Sequence, residues 1–414
     1  MNVERLDVAG MGDPGSAAEA LRALAPAGVS VSGTVSEIVA SVRTRGEQAL
    51  LEYVERFDGV TGPLRVAREE LDAALEALDP DVRTGLEVAI ANVRTVAEAG
   101  IAEDKLVELP QGQTVTIREV PVRRAAIYTP GGRNPYPSTV VMGVVTARAA
   151  GVDEVVVCAP GAHPVILAAC ALCGADEVWR MGGAHAVAAF AYGTDSVPRV
   201  DVIAGPGSLY VQEAKRQVSG DVGIDGFAGP SDVLVLASGD ADPALVAVDL
   251  VAQAEHGTGT IVALVTDDAA LAEAVALRLA AEPGGDAAAA VVLAASPEEG
   301  LAVAEAFAPE HLELVGAGAE PLAGRVRNAG CVFVGPESGT AFGDYVAGST
   351  HTLPTGGAAR FTSGLSTRQF RRRMSVVRID GAADALARVG VPVAEAEGFT
   401  RHADSMRVRE NPSG

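Results

Sequence analysis

From Arg124 onward, short apolar segments with strand character alternate with longer segments of helical periodicity. The apolar segments Ala125–Tyr128, Glu154–Ala159, Glu177–Met181 and Val200–Ala204 are each followed by a helical stretch. Such alternation is typical of βαβ units, in which parallel strands form a sheet that helices cover on both faces. Aromatic residues make up only 4% of the chain, which favours this architecture over an aromatic-rich β-sandwich.

A second series of the same kind begins near Asp232. Its strand segments are Val233–Ala237, Thr260–Val265, Ala289–Leu293 and Cys331–Val334. The first strand, turn, helix and second strand have the same layout in both series, and this weak repeat favours a duplication. We predict an α/β fold with two Rossmann-like parallel-sheet lobes, each incomplete, plus small N- and C-terminal pieces.

Within this fold we predict four parts of the chain. Residues 1–24 form an N-terminal arm, and residues 25–127 together with 233–365 form one discontinuous α/β lobe. Residues 128–232 form the second lobe, and residues 366–414 form a C-terminal piece that packs on another subunit.

The first part of the chain is mostly helical by the spacing of its apolar positions. Thr34-Val-Ser-Glu37 has the sequence of a capping box and predicts a helix that begins there. Around Leu106–Val122 the pattern changes to alternation, with Gln111–Gln113 at the predicted turn of a hairpin.

Charge and cysteine content limit the classes of partner. The formal net charge is −22, and such an acidic surface repels phosphate backbones, so we expect no nucleic-acid partner. No apolar stretch approaches the ~20 residues that cross a bilayer, and Met1–Pro26 lacks the pattern of a secretory signal. Cys170 and Cys173 form a lone CxxC in a helical pattern, which predicts buried helix packing. We expect a cytoplasmic protein without a membrane partner.

Gln253 and His256 form the first candidate site. If their segment is helical, the two side chains lie on one face near the helix end, where an amide oxygen and an imidazole can hold a cation such as zinc. The spacing alone slightly favours a simpler interpretation, in which His256 interacts with the helix dipole and Gly257 caps the helix.

Two further segments carry polar groups suited to proton transfer. Glu310 and His311 lie between a helical pattern and an apolar strand, where a carboxylate can activate water and an imidazole can accept a proton. A solvated helix–strand junction explains the same pair equally well. Asp344 and His351 lie in a polar segment that is typical of a site loop, and equally of a plain surface loop.

The glycine-rich turns do not match a standard nucleotide fingerprint. Gly205-Pro-Gly207-Ser208 follows a strand and opens a helix, as a phosphate-binding turn does, but it lacks the third glycine of GxGxxG. Tyr128–Gly132 is a second strand-end turn. The absence of HExxH and GxSxG argues against a zincin protease and an α/β-hydrolase.

Taken in order, these segments resemble the histidinol dehydrogenase family over nearly the whole chain. The matching segments are Val42–Leu50, Tyr128–Gly132, Gly229–Ser231, Gln253–Gly257, Ala308–Leu312, Gly343–Tyr345, Ala359–Leu365 and Glu397–His402. The resemblance implies a homodimer whose active sites lie at the subunit interface, with the C-terminal piece contributing to the partner's site.

The resemblance also implies a role for each site residue. It implies zinc held by Gln253, His256, Asp344 and His402, with His402 donated by the partner chain. Glu310 and His311 match the acid–base pair. The implied substrate-binding residues are Ser231, Gln253, His256, His311, Asp344, His351, Glu397 and His402. The implied cofactor-binding residues, for NAD, are Tyr128, His185 and Ser208.

The implied reaction is a four-electron oxidation of L-histidinol to L-histidine through histidinal, consuming two NAD. Zinc would orient the substrate, His311 would take the hydroxyl proton, and Glu310 would activate water to hydrate the aldehyde. His185 and Ser208 stand where the family usually has Gln and Asn, which leaves the choice between NAD and NADP open. Thr350 also replaces a usual Asn.

Two alternatives remain open from the sequence. The altered cofactor positions motivate a paralogue that oxidises another small amino alcohol or diol. A zinc hydrolase that uses Glu310 to activate a metal-bound water belongs to a different class, and four protein ligands argue against it, because catalytic zinc keeps an open position.

Overall fold

The computed structural model describes residues 1–25, 30–131, 134–227, 229–283 and 285–410. Two compact units are formed, one by Met1–Gly100 with Val122–Phe370 and the other by Ile101–Pro121 with Arg371–Gly414. The domain boundaries predicted from the sequence stay a prediction. Gly132, at the end of the predicted Tyr128–Gly132 turn, lies outside the described residues.

The strands follow one another along the whole chain. They are β1 (Val3–Asp7), β2 (Lys105–Glu108), β3 (Thr114–Pro121), β4 (Arg124–Tyr128), β5 (Glu154–Cys158), β6 (Glu177–Trp179), β7 (Val202–Ala204), β8 (Gly223–Ile224), β9 (Asp232–Ala237), β10 (Ile261–Thr266), β11 (Ala288–Leu293), β12 (His311–Val315), β13 (Cys331–Val334) and β14 (Arg371–Arg378).

Helices connect most of these strands. They are α1 (Val8–Met11), α2 (Pro14–Ala23), α3 (Ser32–Arg45), α4 (Glu47–Tyr53), α5 (Arg68–Glu76), α6 (Pro80–Ala99), α7 (Pro137–Val140), α8 (Thr146–Ala149), α9 (Pro164–Cys173), α10 (Gly183–Tyr192), α11 (Leu209–Val218), α12 (Pro243–Ala254), α13 (Ala269–Ala281), α14 (Pro297–Phe307), α15 (Thr340–Tyr345), α16 (Ala383–Ala396) and α17 (Thr400–Arg407). Two segments, Val54–Asp58 and Val141–Val145, are π-helical.

The first unit contains two parallel sheets, which confirms the predicted fold class. The five-stranded sheet has the order β6-β5-β4-β7-β8, and the six-stranded sheet has the order β1-β11-β10-β9-β12-β13. In both, the first strand of a series lies in the centre, the second and third follow on one side, and the fourth and fifth on the other. The shared Rossmann-like order agrees with a duplication, to which β1 adds an edge strand beside β11.

Burial on both faces explains why these strands are visible as apolar runs. All residues of β4, β9, β10 and β12 are buried, as expected for parallel strands that helices cover on both sides. Cys170 and Cys173 lie buried in α9, which confirms the prediction of helix packing. Burial raises the pKa of the Cys173 thiol to about 12, so this thiol is unreactive at neutral pH.

The close approach of one helix to the five-stranded sheet depends on Gly143. A methyl group at Gly143 would overlap with the side chain of Ile127 in β4. We expect Gly143→Ala to lower the free energy of unfolding by about 1–3 kcal/mol through overpacking. Gly85→Ala in α6 is the matched control, because its added methyl meets no atom within 4 Å. The control should raise stability by about 0.5–1 kcal/mol. Urea unfolding of both variants tests this, and equal effects would contradict it.

The second unit contains an antiparallel sheet with the order β14-β3-β2. The predicted hairpin is confirmed, because Leu109 donates its amide hydrogen to the carbonyl of Gln113 across the turn between β2 and β3 (3.0 Å). Helices α16 and α17 of this unit pack on each other through Val391 and Ala403.

One sequence prediction about a helix end is wrong. Helix α3 begins at Ser32 after Val31, so Thr34 lies inside its first turn and does not cap it. The first helical hydrogen bond runs from the amide of Val35 to the carbonyl of Val31 (3.0 Å), and no side chain caps this end. Among the described residues, no helix is long and apolar enough to cross a membrane.

Candidate active site

The candidate catalytic residues meet at the amino-terminal edge of the six-stranded sheet. Ser231 directly precedes β9, and His311 begins the neighbouring strand β12, opposite Val233. Helix α12 runs back antiparallel to β9, as helices do in βαβ units, so its last turn returns Gln253 to the same edge. His256 follows two residues after α12 ends. Topology therefore joins segments that are distant in sequence.

A chain of polar contacts connects four of the predicted residues. The Ser231 hydroxyl donates to Oε2 of Glu310 and accepts a hydrogen bond from Nε2 of Gln253. Nε2 of Gln253 also lies 3.4 Å from Nδ1 of His311. Gln253, Glu310 and His311 are all buried. These contacts fix the side chains relative to one another, as a preorganised site requires.

The environment of Glu310 suits a group that gains and loses a proton. Burial, together with the neighbouring carboxylate of Asp232, raises the pKa of Glu310 to about 7. A carboxyl group that titrates near neutral pH can act both as an acid and as a base.

His311 presents one ring nitrogen to the site. Its Nδ1 lies 3.2 Å from the carbonyl oxygen of Asp232, so we assign the Nδ1 proton to this hydrogen bond, and the 3.4 Å approach of the Gln253 amide nitrogen to Nδ1 is then a packing contact. Its Nε2 is buried, lacks a hydrogen-bond partner among the described residues, and lies 3.6 Å from Oδ1 of Asp344. Burial lowers the pKa of His311, but the carboxylates of Asp344 and Glu310 outweigh it and raise the value to about 9.

His351 connects the site to the other lobe. Its Nδ1 lies 2.9 Å from the carbonyl oxygen of Asp344, and its Nε2 lies 3.2 Å from Oγ1 of Thr139 in α7. Helix α7 follows β4, so the amino edge of the six-stranded sheet adjoins the carboxyl edge of the five-stranded sheet. Burial lowers the pKa of His351, which agrees with a neutral ring that takes part in two hydrogen bonds.

The predicted metal ligands of the first unit fit a divalent cation. Burial lowers the pKa of His256, and the Asp344 carboxylate is the largest influence opposing this, so the imidazole and the carboxylate act on each other. An imidazole, a carboxylate and the Gln253 amide form a donor set that zinc accepts. Beside Asp344, the buried Nε2 of His311 has no hydrogen-bond partner among the described residues, which agrees with a site that a bound group completes. The described residues contain no cluster of three or more His, Cys, Asp or Glu side chains placed to hold a metal. The predicted ligand set takes only two side chains of these types, His256 and Asp344, from this unit.

The remaining predicted residues, Glu397 and His402, belong to the second unit. Glu397 follows α16, His402 lies in α17, and both are exposed. The ring of His402 lies 5.1 Å from that of Phe399. The first unit does not contain these residues, and their roles stay predictions.

The predicted cofactor residues lie in the lobe of the five-stranded sheet. Tyr128 ends β4, and its buried hydroxyl accepts a hydrogen bond from the amide of Gly183 (2.9 Å). The turn after β7 approaches β4 so closely that a side chain at Gly205, where φ is +125°, would overlap with the carbonyl of Tyr128. Ser208 is exposed and precedes α11. This carboxyl edge, between the central strand and its reversed neighbour, is where open α/β sheets bind ligands.

His185 has a partner that the sequence did not reveal. Its Nε2 lies 2.9 Å from Oδ2 of Asp58, which also accepts a hydrogen bond from the amide of Gly182 (3.0 Å). The His185 ring is only 2% exposed and lies beside the stacked rings of Tyr53 and Phe57, 6.0 Å from each. The position of Asp58 directly before Gly59, which breaks the helical pattern, was the one signal available in the sequence.

At the carboxyl edge of the six-stranded sheet, side chains and turns of the protein itself fill the space. The Ser238 hydroxyl donates to Asp240 (2.7 Å), and both side chains accept backbone amide hydrogens from Ala317 and Gly318. A side chain at Gly316 would overlap with Ser238. The two lobes therefore differ in which edge is available to a ligand.

Glu313 is a further buried carboxyl group that sequence reasoning missed. Its Oε1 accepts the amide hydrogen of Thr340 (2.9 Å), while the buried Oε2 has no hydrogen-bond partner in the described part of the chain. Burial and the Asp249 carboxylate raise the pKa of Glu313 to about 8. The available signal in the sequence was that Glu313 follows His311 by two residues on one strand, so that both side chains point to the same face.

Replacing Glu313 with glutamine should stabilise the metal-free protein at high pH. Because the folded-state pKa lies above the ordinary value, the unfolded chain holds fewer protons, and stability falls as pH rises towards 8. We expect Glu313→Gln to raise the free energy of unfolding on the order of 2 kcal/mol at pH 9 and by much less at pH 5. Glu298→Gln, at a side chain 58% exposed, is the control. Urea unfolding after chelator treatment tests this, and a pH-independent difference would contradict it.

Comparisons with known proteins agree with one another. The family model for histidinol dehydrogenase matches residues 25–410. The chain is 44% identical over 397 residues to a histidinol dehydrogenase of Parasynechococcus marenigrum (strain WH8102), covering 92% of this chain and 91% of the relative. It is 45% identical over 426 residues to that of Nocardia farcinica (strain IFM 10152), covering 95% of each. The fold is similar to the crystal structure of histidinol dehydrogenase from Elizabethkingia anophelis, with a TM-score of 0.90, 28% identity and 98% of each chain covered.

Proposed function

Because this chain belongs to the histidinol dehydrogenase family and is an oxidoreductase acting on CH–OH groups, we propose that it oxidises L-histidinol to L-histidine through histidinal, with zinc and NAD. The observation that carries this proposal is the buried contact of Ser231, Gln253, Glu310 and His311 at the start of β12. It provides a water-activating carboxylate and an alcohol-deprotonating imidazole beside predicted metal ligands.

In the first oxidation, Nε2 of His311 accepts the hydroxyl proton of the substrate while a hydride leaves the carbon that bears this hydroxyl. When bound, NAD would supply the hydride acceptor for both oxidations. Between the two oxidations, Glu310 takes a proton from water as the oxygen of that water bonds to the aldehyde carbon. The hydrate formed in this way is the anion RCH(OH)O⁻, and loss of the second hydride from it gives the carboxylic acid. Retention of the aldehyde throughout prevents its side reactions.

We propose that zinc is held by Gln253, His256, Asp344 and the partner subunit's His402. When bound, zinc would orient the imidazole and amino nitrogens of the substrate and offset the charge of Asp344. Ser231, His351 and Glu397 would contact the substrate.

We further propose a cytoplasmic homodimer that takes part in histidine biosynthesis. Tyr128, His185 and Ser208 would face NAD, in keeping with their place at the carboxyl edge of the five-stranded sheet. The net charge of −22 supports the absence of a nucleic-acid partner.

The first test is NADH formation from L-histidinol, counted per substrate consumed, with and without a chelator. We expect about two NADH per histidinol, activity lost on chelation, and activity restored by zinc, because the metal orients the substrate. One NADH per substrate would contradict the four-electron reaction, and unchanged activity after complete metal removal would contradict the zinc site.

A paralogous dehydrogenase is the second candidate, favoured by the burial of His185 against Asp58. Turnover of histidinol should be compared with that of other amino alcohols and diols, using NAD and NADP. A large preference for histidinol in kcat/KM would exclude the paralogue.

A further inference from the structure

Asp232 and Glu310 hold each other through two reciprocal hydrogen bonds. The amide of Asp232 donates to Oε2 of Glu310 (3.1 Å), and the amide of Glu310 donates to Oδ1 of Asp232 (2.6 Å). Asp232 is 2% exposed and Glu310 is 6% exposed. The orientation of the Glu310 carboxylate therefore depends on the placement of Asp232 and on the path of the chain that enters β12.

Arg22, in α2, contacts both the Asp232 carboxylate and the chain that leads into β12. Its Nη1 lies 3.8 Å from Oδ2 of Asp232, on the side away from Glu310. Its Nη2 donates to the carbonyl of Phe307 and lies 3.4 Å from the carbonyl of Ala308. The guanidinium also lies over the Phe307 ring, 4.0 Å from its centroid.

The turn that Arg22 contacts needs external support. Ala308 has a φ of +49°, a left-handed conformation that residues with a β-carbon rarely adopt. Such conformations persist where surrounding contacts fix them, and they cluster at functional sites. Ala308 stands two residues before Glu310, so a change in this turn moves the carboxylate.

We infer that Arg22 and Asp232 are positioning residues for Glu310: together they fix its backbone and its carboxylate for the attack of water on the aldehyde. This inference rests on the proposed function, in which Glu310 acts between the two oxidations. A purely structural role of the Arg22–Asp232 pair would lower stability but affect both oxidations equally.

The test compares Arg22→Gln with Arg5→Gln, which removes an exposed arginine paired with Glu273 in the same N-terminal region. Oxidation of histidinol and of added histidinal is measured separately. We expect Arg22→Gln to lower kcat for histidinal oxidation roughly ten- to hundredfold, with the first oxidation changed less than about threefold. The KM of Arg22→Gln should stay near the wild-type value, and Arg5→Gln should keep wild-type kinetics in both oxidations. Equal losses in both steps, or none, would overturn the inference.

Asp232 provides a second pair of variants. Asp232→Asn keeps an oxygen that can accept the amide hydrogen of Glu310, whereas Asp232→Ala removes it. We expect the asparagine variant to retain several times more histidinal oxidation than the alanine variant. Equal activities of these two folded variants would contradict the assigned hydrogen bond.

Amide hydrogen exchange gives a measurement that needs no substrate. Arg22→Gln should speed exchange at the amide of Glu310 at least severalfold, whereas Arg5→Gln should not, because local opening follows the loss of local contacts. Wild-type protein that forms no NADH from histidinol or histidinal would disprove the proposed function. Unchanged exchange in Arg22→Gln would disprove the positioning role, whatever the activity.

Discussion

Replacing Glu310 with glutamine is expected to stop the reaction at the aldehyde. Glutamine keeps the size of the side chain and an oxygen that can accept the amide hydrogen of Asp232, but it cannot take a proton from water. Formation of the acid should fall roughly 10²- to 10⁴-fold, the range typical of a lost general base. NADH per histidinol should fall from about two to about one.

The measurement combines an NADH count with trapping of the aldehyde by semicarbazide. Glu298→Gln, which removes an exposed carboxyl group in the first turn of α14, at the opposite end of that helix from Glu310, should behave like wild type. If Glu310→Gln formed two NADH per histidinol at a near wild-type rate, water activation by Glu310 would be excluded.

Mixing two variants that each fail to form histidine should restore histidine formation if the sites are shared between subunits. Glu310→Gln changes the first unit, and His402→Ala changes an exposed residue of the second. In a mixed dimer, one site would combine the intact first unit of one chain with the intact second unit of the other. Random exchange of subunits gives about half mixed dimers, each with one good site, and hence about a quarter of the wild-type activity.

The control is a mixture of Glu310→Gln with His311→Asn. Both changes lie in the first unit, so every site in every dimer is defective, and with released aldehyde trapped by semicarbazide the mixture should form no histidine. Absence of activity in the Glu310→Gln and His402→Ala mixture, with subunit exchange verified by two affinity tags, would show that His402 does not act across subunits.

The buried strands could be predicted because a strand that is buried on both faces consists of a continuous run of apolar residues. The apolar segment Val233–Ala237 lies within β9, and Thr260–Val265 overlaps β10. Strand β1 was missed, because it is an edge strand in which Glu4 and Arg5 are exposed. Only its pairing with β11, almost 300 residues away in the chain, makes it a strand.

The candidate site was predictable where side chains of unusual type stand together. Glu310 and His311 form such a pair ahead of a strand, and the structure joins them to Ser231 and Gln253. Arg22 was not predictable, because its partners are backbone carbonyls and an aspartate more than 200 residues away. No residue pattern marks a backbone acceptor.

The opposite use of sheet edges in the two lobes has an evolutionary consequence. The residues proposed for the nicotinamide lie in one copy of the repeated architecture, and those proposed for proton transfer lie at the other end of the second copy. Selection can therefore act on the two copies separately. With the coenzyme site proposed above, substitutions at His185 and Ser208 would accumulate without displacing Glu310 or His311, and coenzyme preference would be free to drift among descendants that keep the same chemistry.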